Sequence, residues 1–94
     1  MNYTDNTKGF RRRNVLVKLG HLLQDIVYKI EYIEDVMMYE KGYMPDDEYF
    51  EWALDLNEWQ EHYSSVRTIY CLLSRGSRVS RFDLSLCNDI RKLC

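Results

Sequence analysis

The chain has 94 residues, of which 46% are hydrophobic and 30% are charged, and its formal net charge is −2. This length accommodates one domain with a single core, and the composition is too apolar for a disordered chain and too polar for a membrane protein. No apolar run approaches the roughly 18 residues that a membrane-spanning helix needs, and the polar N-terminal stretch has no apolar segment typical of a secretory signal. The three cysteines form no Cys-x-x-Cys pair, so we expect reduced thiols, a cytoplasmic protein and no metal or other cofactor.

The segment 1–13 is predicted to be a basic flexible arm that precedes the first helix. An arginine run within it would oppose the helix macrodipole if it formed a first helical turn. This run comprises Arg11, Arg12 and Arg13. Asn14 is therefore the expected N-cap, since its side chain can accept hydrogen bonds from the first free backbone N–H groups. The remainder, 14–94, is expected to form a single helical domain, because one proline and four glycines are too few for a many-stranded fold.

The first helix, over about 14–41, is predicted by an apolar residue at every third or fourth position. This alternation is the a/d heptad pattern of a helix that packs along a partner helix, as in a coiled coil. The pattern runs through Leu16, Leu19, Leu23, Ile26, Ile30, Ile33 and Met37. Gly42 is expected to end the helix in the left-handed conformation, and Pro45 follows three residues later.

The second helix, over about 46–75, shows the same alternation of three and four residues. Its apolar positions are Tyr49, Trp52, Leu56, Trp59, Tyr63, Val66, Tyr70 and Leu73. Pro45 and the three carboxylates after it are typical of a first helical turn. Gly76 is the expected end. Because only a short connection separates the two helices, we expect them to form a long antiparallel hairpin.

A shorter third helix is predicted over about 80–93, with Ser80 and Asp83 resembling a capping box at its start. Its expected apolar face consists of Val79, Phe82, Leu86, Ile90 and Leu93. At 1.5 Å per residue this helix is only about 20 Å long, roughly half the length of the hairpin. The predicted fold is therefore all-α, with the third helix packed at the open end of the hairpin and the tip left uncovered.

Several large apolar residues lie off the heptad pattern, most of them towards the predicted tip. They are Tyr28, Tyr32, Met38, Tyr39, Tyr43, Phe50 and Leu54. An uncovered patch of this kind is typical of a partner-binding or self-association surface. The alternative is a wider core seam with scattered surface tyrosines.

The charges are segregated along the chain. The segment from Asp25 to Glu61 contains twelve acidic residues and two lysines, which gives a local net charge of −10. The rest of the chain has eleven basic residues and three acidic ones, a net charge of +8. In a hairpin the acidic block becomes the tip and the basic block becomes the open end, so we expect a strong electrostatic dipole.

The leading functional hypothesis is protein–protein binding, as an adaptor or inhibitor, by docking the acidic, aromatic tip on a partner that has a basic surface. The residues expected to carry it are Tyr39, Tyr43, Asp47, Phe50, Glu51 and Leu54. Small accessory proteins of viruses or mobile elements often have this character, which is an analogy only. Self-association, with the tip of one copy on the basic end of another, is a further possibility.

Nucleic-acid binding is the alternative hypothesis, because the arm and the open end concentrate arginines that can contact phosphate. The residues expected to bind phosphate are Arg11, Arg12, Arg13, Arg75, Arg78 and Arg81. Against this hypothesis, the sequence pI of about 5.6 lies well below the values typical of nucleic-acid-binding domains.

An enzymatic function is the lesser alternative. Two carboxylate groups, Glu31-x-x-Glu34-Asp35 and Glu58-x-x-Glu61, together resemble the pattern of the all-α nucleotide pyrophosphatases. The resemblance implies Mg²⁺ held between carboxylates inside a helical bundle. Here the inward positions are apolar, so these carboxylates are expected to point to water. No phosphate-binding loop or His-Glu-x-x-His motif occurs either, and we expect that the protein is not an enzyme.

Overall fold

A computed structural model of the chain describes the backbone of residues 3–94 and the side chains of residues 12–94. Three α-helices follow one another: α1 (Tyr3–Glu40), α2 (Asp46–Ser74) and α3 (Arg81–Leu93). A single 3-10 turn, Lys41–Tyr43, links α1 to α2. The described residues contain no β-strand, and the predicted all-α class is confirmed.

The first two helices form the predicted antiparallel hairpin. Gly20 lies beside Tyr70 near the open end, Lys29 lies over Trp59 in the middle, and Tyr32 contacts a tryptophan of α2 nearer the connection. The described structure measures 65 × 21 × 19 Å. Its radius of gyration of 17.2 Å exceeds the value of about 12 Å for a compact domain of this length. The molecule is therefore a rod, and α3 packs at one end of it.

The start of α1 differs from the prediction. The helix begins at Tyr3, so Asn14 lies inside it and is not its N-cap. The arginine run then falls in the third helical turn, beyond the first turn in which the macrodipole penalty acts. Arginine also has a high helix propensity, and extending an existing helix avoids the cost of nucleation.

The heptad positions form the core, as predicted. Most residues at one of the two positions are buried, including Leu19, Ile26 and Ile33 in α1. Most residues at the other position are half-buried and pack against them. Among residues 12–94 the buried core consists of Leu19, Leu22, Ile26, Ile33, Trp59, Val66, Ile69, Leu73, Cys87 and Ile90. Leu22 and Ile69 lie off the a/d pattern, on the side of the hairpin that α3 covers.

The buried face of α3 is only partly the predicted one. Cys87 and Ile90 are buried, whereas Phe82 is 76% exposed and Leu93 is 59% exposed, so the assignment of these two to the apolar face was wrong. A reduced cysteine behaves as a small, readily buried hydrophobe. With Cys87 turned inwards, the helix is rotated away from the side that carries Phe82. The predicted cap is present, since the Ser80 hydroxyl accepts a 3.1 Å hydrogen bond from the backbone N–H of the residue three positions on.

The two glycine turns behave differently. Gly76 has φ of +79° and is the only described residue in the left-handed region. The N–H of Ser77 donates to the carbonyl of Leu72 at 2.9 Å, which closes the end of α2 as a Schellman-type cap. Gly42 was predicted to play this role for α1, and that prediction was wrong. The chain leaves α1 through the 3-10 turn instead, and Met44 is extended, as a residue before proline prefers.

Candidate functional site

The third helix covers only half of the hairpin. Its last residue, Leu93, lines a hollow together with Lys29 of α1 and Trp59 of α2. Beyond this level lies the tip, defined here as residues 32–58. The seven off-pattern apolar residues predicted from the sequence are all exposed, and six of them lie in the tip. The side chain of Tyr43, in the 3-10 turn, is 92% exposed. The tip therefore presents apolar surface that no other described part of the chain covers.

One side of α2 gathers four of the six residues predicted to bind a partner. We call this the outer face, and it consists of Asp47, Phe50, Glu51 and Leu54. These residues lie within an arc of about 100° on the helix. Phe50 is 62% exposed and Leu54 is 55% exposed, and both carboxylates are exposed as well. Trp52 points the other way, since its ring meets that of Tyr32 on α1, with a centroid separation of 6.3 Å.

The other two predicted partner-binding residues do not belong to the outer face. Tyr39 is 73% exposed near the end of α1, and Tyr43 lies in the connection beside Glu48. Both lie on the side of the hairpin on which α3 packs. The structure thus divides the predicted site into two neighbouring surfaces.

The second surface is the groove between α1 and α2 on the side on which α3 packs, and the sequence analysis did not identify it. Its borders follow from the heptad positions, which place one regular row of side chains from each helix on this side. The α1 row and the turn contribute Tyr32, Val36, Tyr39 and Tyr43, and the α2 row contributes Glu48, Glu51, Asp55 and Glu58. We call this surface the distal groove. The residues of the α1 row are separated by four, three and four positions, and those of the α2 row by three, four and three. The sequence shows these spacings, but only the register of the hairpin places the two rows side by side.

The carboxylates of the tip lack internal counter-charges. Among residues 12–94 the only contact closer than 4.0 Å between a carboxylate and a basic side chain is between Glu58 and the imidazole of His62, with 3.6 Å between the carboxylate oxygen and Nε2. No lysine or arginine in this part of the chain pairs with a carboxylate. The tip has nine acidic residues and one lysine, a net charge of −8, and no short-range pair with a lysine or arginine compensates it.

The basic residues meet at the opposite end of the rod. Arg12 reaches the turn between α2 and α3, where its Nη1 lies 3.5 Å from the position that a Cβ on Gly76 would occupy. The arginines predicted to bind phosphate are exposed at every described position: Arg12, Arg13, Arg75, Arg78 and Arg81. The side chain of Arg11 lies outside the described residues. Arginines of α1 and of the α2–α3 connection are therefore brought together in space.

A polar cluster marks the place where α3 ends. The ring of Trp59 meets the imidazole of His62 edge-on at 5.3 Å, and Lys29 Nζ lies 5.8 Å from the centroid of the Trp59 ring. The buried Nε2 of His62 forms no hydrogen bond within 3.5 Å. No three His, Cys, Asp or Glu side chains among residues 12–94 come together as a metal-binding group.

The carboxylates that resemble those of the pyrophosphatases do not converge inside the hairpin. All of them are exposed: Glu31, Glu34, Asp35, Glu58 and Glu61. The positions between α1 and α2 are filled by aliphatic and aromatic side chains, which leave no polar cavity for a hydrated cation.

The three cysteines form no disulfide with one another and differ in environment. Burial raises the pKa of the Cys87 thiol, and the nearby carboxylate of Asp83 raises it further. Desolvation also raises the pKa of the Cys94 thiol, with a second contribution from Asp25 that Lys29 opposes. Both thiols are therefore held in the protonated, weakly nucleophilic form, which does not suit them to nucleophilic catalysis.

No described helix has a stretch that is both long and apolar enough to cross a membrane. Comparison of the chain with protein-family models, with curated proteins and with solved structures finds no match.

Proposed function

We propose that this protein acts by binding another protein, as an adaptor or an inhibitor, through the outer face of α2 at the hairpin tip. The observation that carries the proposal is the pair Phe50 and Leu54, one helical turn apart, which are exposed side by side where α3 does not reach. Apolar side chains at this spacing are typical anchors of helix-mediated interfaces. The exposed carboxylates of Asp47 and Glu51 border them.

The chemistry of the outer face indicates the kind of partner. Phe50 and Leu54 require an apolar pocket, and their burial supplies most of the affinity. The carboxylates lack lysine or arginine partners within residues 12–94, so a partner can pair with them without breaking an internal ion pair. Such pairs contribute more to specificity than to affinity. A partner surface with an apolar centre and a basic rim fits this face best.

Replacing Phe50 and Leu54 together with aspartate tests the proposal. We expect the double variant to lose capture of the partner identified by pull-down from the native host and mass spectrometry. The loss should be at least a hundredfold in Kd with the purified partner, because two anchors are removed. The free energy of unfolding should change by less than about 1 kcal/mol, since both residues are exposed.

Phe82→Asp is the matched control, because Phe82 is also an exposed apolar residue but lies on α3. It should leave partner binding unchanged. If the double variant unfolds as readily as a core variant, the two residues belong to the core and the proposed site is wrong. If it binds the partner normally, the outer face is not the interface.

A second candidate function, nucleic-acid binding, is favoured by the position of Arg12 against the Gly76 turn. That contact gathers exposed arginines of two segments into one basic surface, which is suited to bridging phosphates. We expect Arg12→Ala combined with Arg75→Ala and Arg78→Ala to reduce binding to a 20-base-pair DNA duplex and to a 20-nucleotide RNA at least tenfold. Affinity for both should fall steeply with salt concentration.

The control for this test removes the same charge elsewhere, through alanine at Lys41, Arg91 and Lys92, which are exposed outside the cluster. Equal losses of affinity in the two triple variants would indicate that the overall positive charge attracts the nucleic acid and that the cluster is not a specific binding site. No binding of either nucleic acid at low salt would remove this candidate.

A further inference from the structure

The groove in which α3 packs continues beyond the end of α3. At the open end it is bordered by Leu22 of α1 and Ile69 of α2, which are buried. These two residues occupy the same heptad position on antiparallel helices, so they lie on the same side of the hairpin. Counting in sevens along α1 leads from Leu22 to Lys29 and then to Val36. Leu93 lines the same hollow as Lys29, so the distal groove begins on this line where α3 ends.

The length of the distal groove matches one short helix. From Lys29, where α3 ends, to Tyr43 the chain advances fourteen positions along α1 and the turn, or about 21 Å at the helical rise. The helix α3, which fills the other half, has 13 residues. A helix of about fourteen residues placed end to end with α3 would therefore cover the remaining half of the hairpin.

The two walls of the distal groove differ in chemistry. The α1 wall is aromatic and aliphatic, and Tyr32 is tied to the floor by its edge contact with Trp52. The α2 wall is a row of carboxylates at helical spacing: Glu48, Glu51, Asp55 and Glu58. Where α3 lies, the same heptad position of α2 is Ile69, and His62 and then Asp55 follow it towards the tip. This position thus changes from apolar, through histidine near the end of α3, to acidic in the distal groove.

We infer that the distal groove binds a basic amphipathic helix of about fourteen residues from another protein, and the inference rests on the proposed protein-binding function. The apolar stripe of that helix packs on Tyr32, Val36 and Trp52. Its lysine or arginine side chains lie along the α2 carboxylates. The bound helix continues the line of α3, so that both halves of the hairpin are covered.

The probe is a fluorescein-labelled, fourteen-residue model peptide with leucine at the a and d positions, lysine along one flank and alanine elsewhere. We expect the full chain to bind it with a Kd in the micromolar range and the peptide to gain helicity on binding. A peptide with glutamate in place of the lysines should bind at least tenfold more weakly, since like charges then face each other. Raising the salt concentration should weaken binding of the lysine peptide.

The matched chain variant carries Glu48→Gln, Glu51→Gln and Asp55→Asn, which remove three charges with little change in shape. We expect at least a tenfold loss of lysine-peptide affinity. Glu31→Gln with Glu34→Gln and Glu61→Gln, which removes the same charge outside the groove, should lose less than threefold. Equal losses in the two variants would mean that the net charge alone attracts the peptide, and would overturn the inference.

Three further results bear on where the peptide sits. Reaction of Cys87 with a thiol reagent should stay slow in the complex, since α3 stays in place; rapid reaction would show that the peptide displaces α3, which contradicts the inference. Self-association of the chain that is lost in the Gln/Asn variant would assign the groove to a second copy.

The double variant of Phe50 and Leu54 should bind the peptide normally. A host partner that needs those two residues, combined with no peptide binding, would leave the proposed function standing and this inference wrong.

Discussion

Replacing Ile90 with aspartate is expected to lower the free energy of unfolding by about 3 kcal/mol or more, a large fraction of the total stability of a domain of this size. Ile90 is 2% exposed and is one of only two fully buried residues of α3. The change removes its apolar contacts and places a carboxylate against the apolar core of the hairpin. The expected result is that α3 detaches, and urea denaturation followed by circular dichroism measures the loss.

Phe82→Asp provides the comparison on the same helix. The sequence pattern placed Phe82 on the buried face, but the structure exposes it. An aspartate there falls in the first turn of α3, where the helix macrodipole favours a negative charge. We expect a change within about 0.5 kcal/mol, in either direction. Comparable losses for the two variants would show that α3 packs through the face predicted from the sequence.

Replacing Trp59 with alanine is expected to cost about 3–5 kcal/mol, the range for large aromatic residues in cores. Its side chain is 6% exposed and lies between the two long helices at the level where α3 ends. The variant loses contacts with both halves of the hairpin and the attraction between the indole ring and Lys29. Thermal and urea unfolding curves would measure the effect.

Trp52→Ala is the control for the Trp59 variant, because the two residues occupy the same heptad position one repeat apart. Trp52 is only half-buried, beyond the reach of α3. Its loss should cost about 1–2 kcal/mol, in proportion to the smaller apolar area that it buries. An equal or larger cost at Trp52 would mean that the tip is as well packed as the covered half.

The fold was largely predictable because its main determinant is local. An a/d repeat over two long segments specifies which side of each helix is buried, and a short connection leaves little choice but a hairpin. The rotation of α3 was not predictable in this way. It depends on the burial of Cys87. The sequence pattern does not predict this burial, because it results from the contact of α3 with the hairpin. The start of α1 differs from the prediction because extension of an existing helix outweighs the unfavourable interaction of the arginine run with the helix macrodipole.

The candidate surfaces were predictable in part for the same reason. Phe50 and Leu54 lie off the heptad pattern at the end that α3 was not expected to reach, so their exposure was expected, with a wider core seam as the alternative. The distal groove needed the register between two helices, since Tyr39 and Glu51 belong to it from different segments. A single sequence gives the spacing within each row, but it does not show that the rows face each other.

The absence of lysine– or arginine–carboxylate pairs among residues 12–94 also has a kinetic consequence. A rod 65 Å long, with its acidic block towards one end and its arginines at the other, experiences a torque in the field of any charged surface. A positively charged surface turns the rod so that the tip arrives first, which raises the fraction of productive encounters. Added salt should therefore slow the association of such a surface with the tip while leaving the lifetime of the complex nearly unchanged.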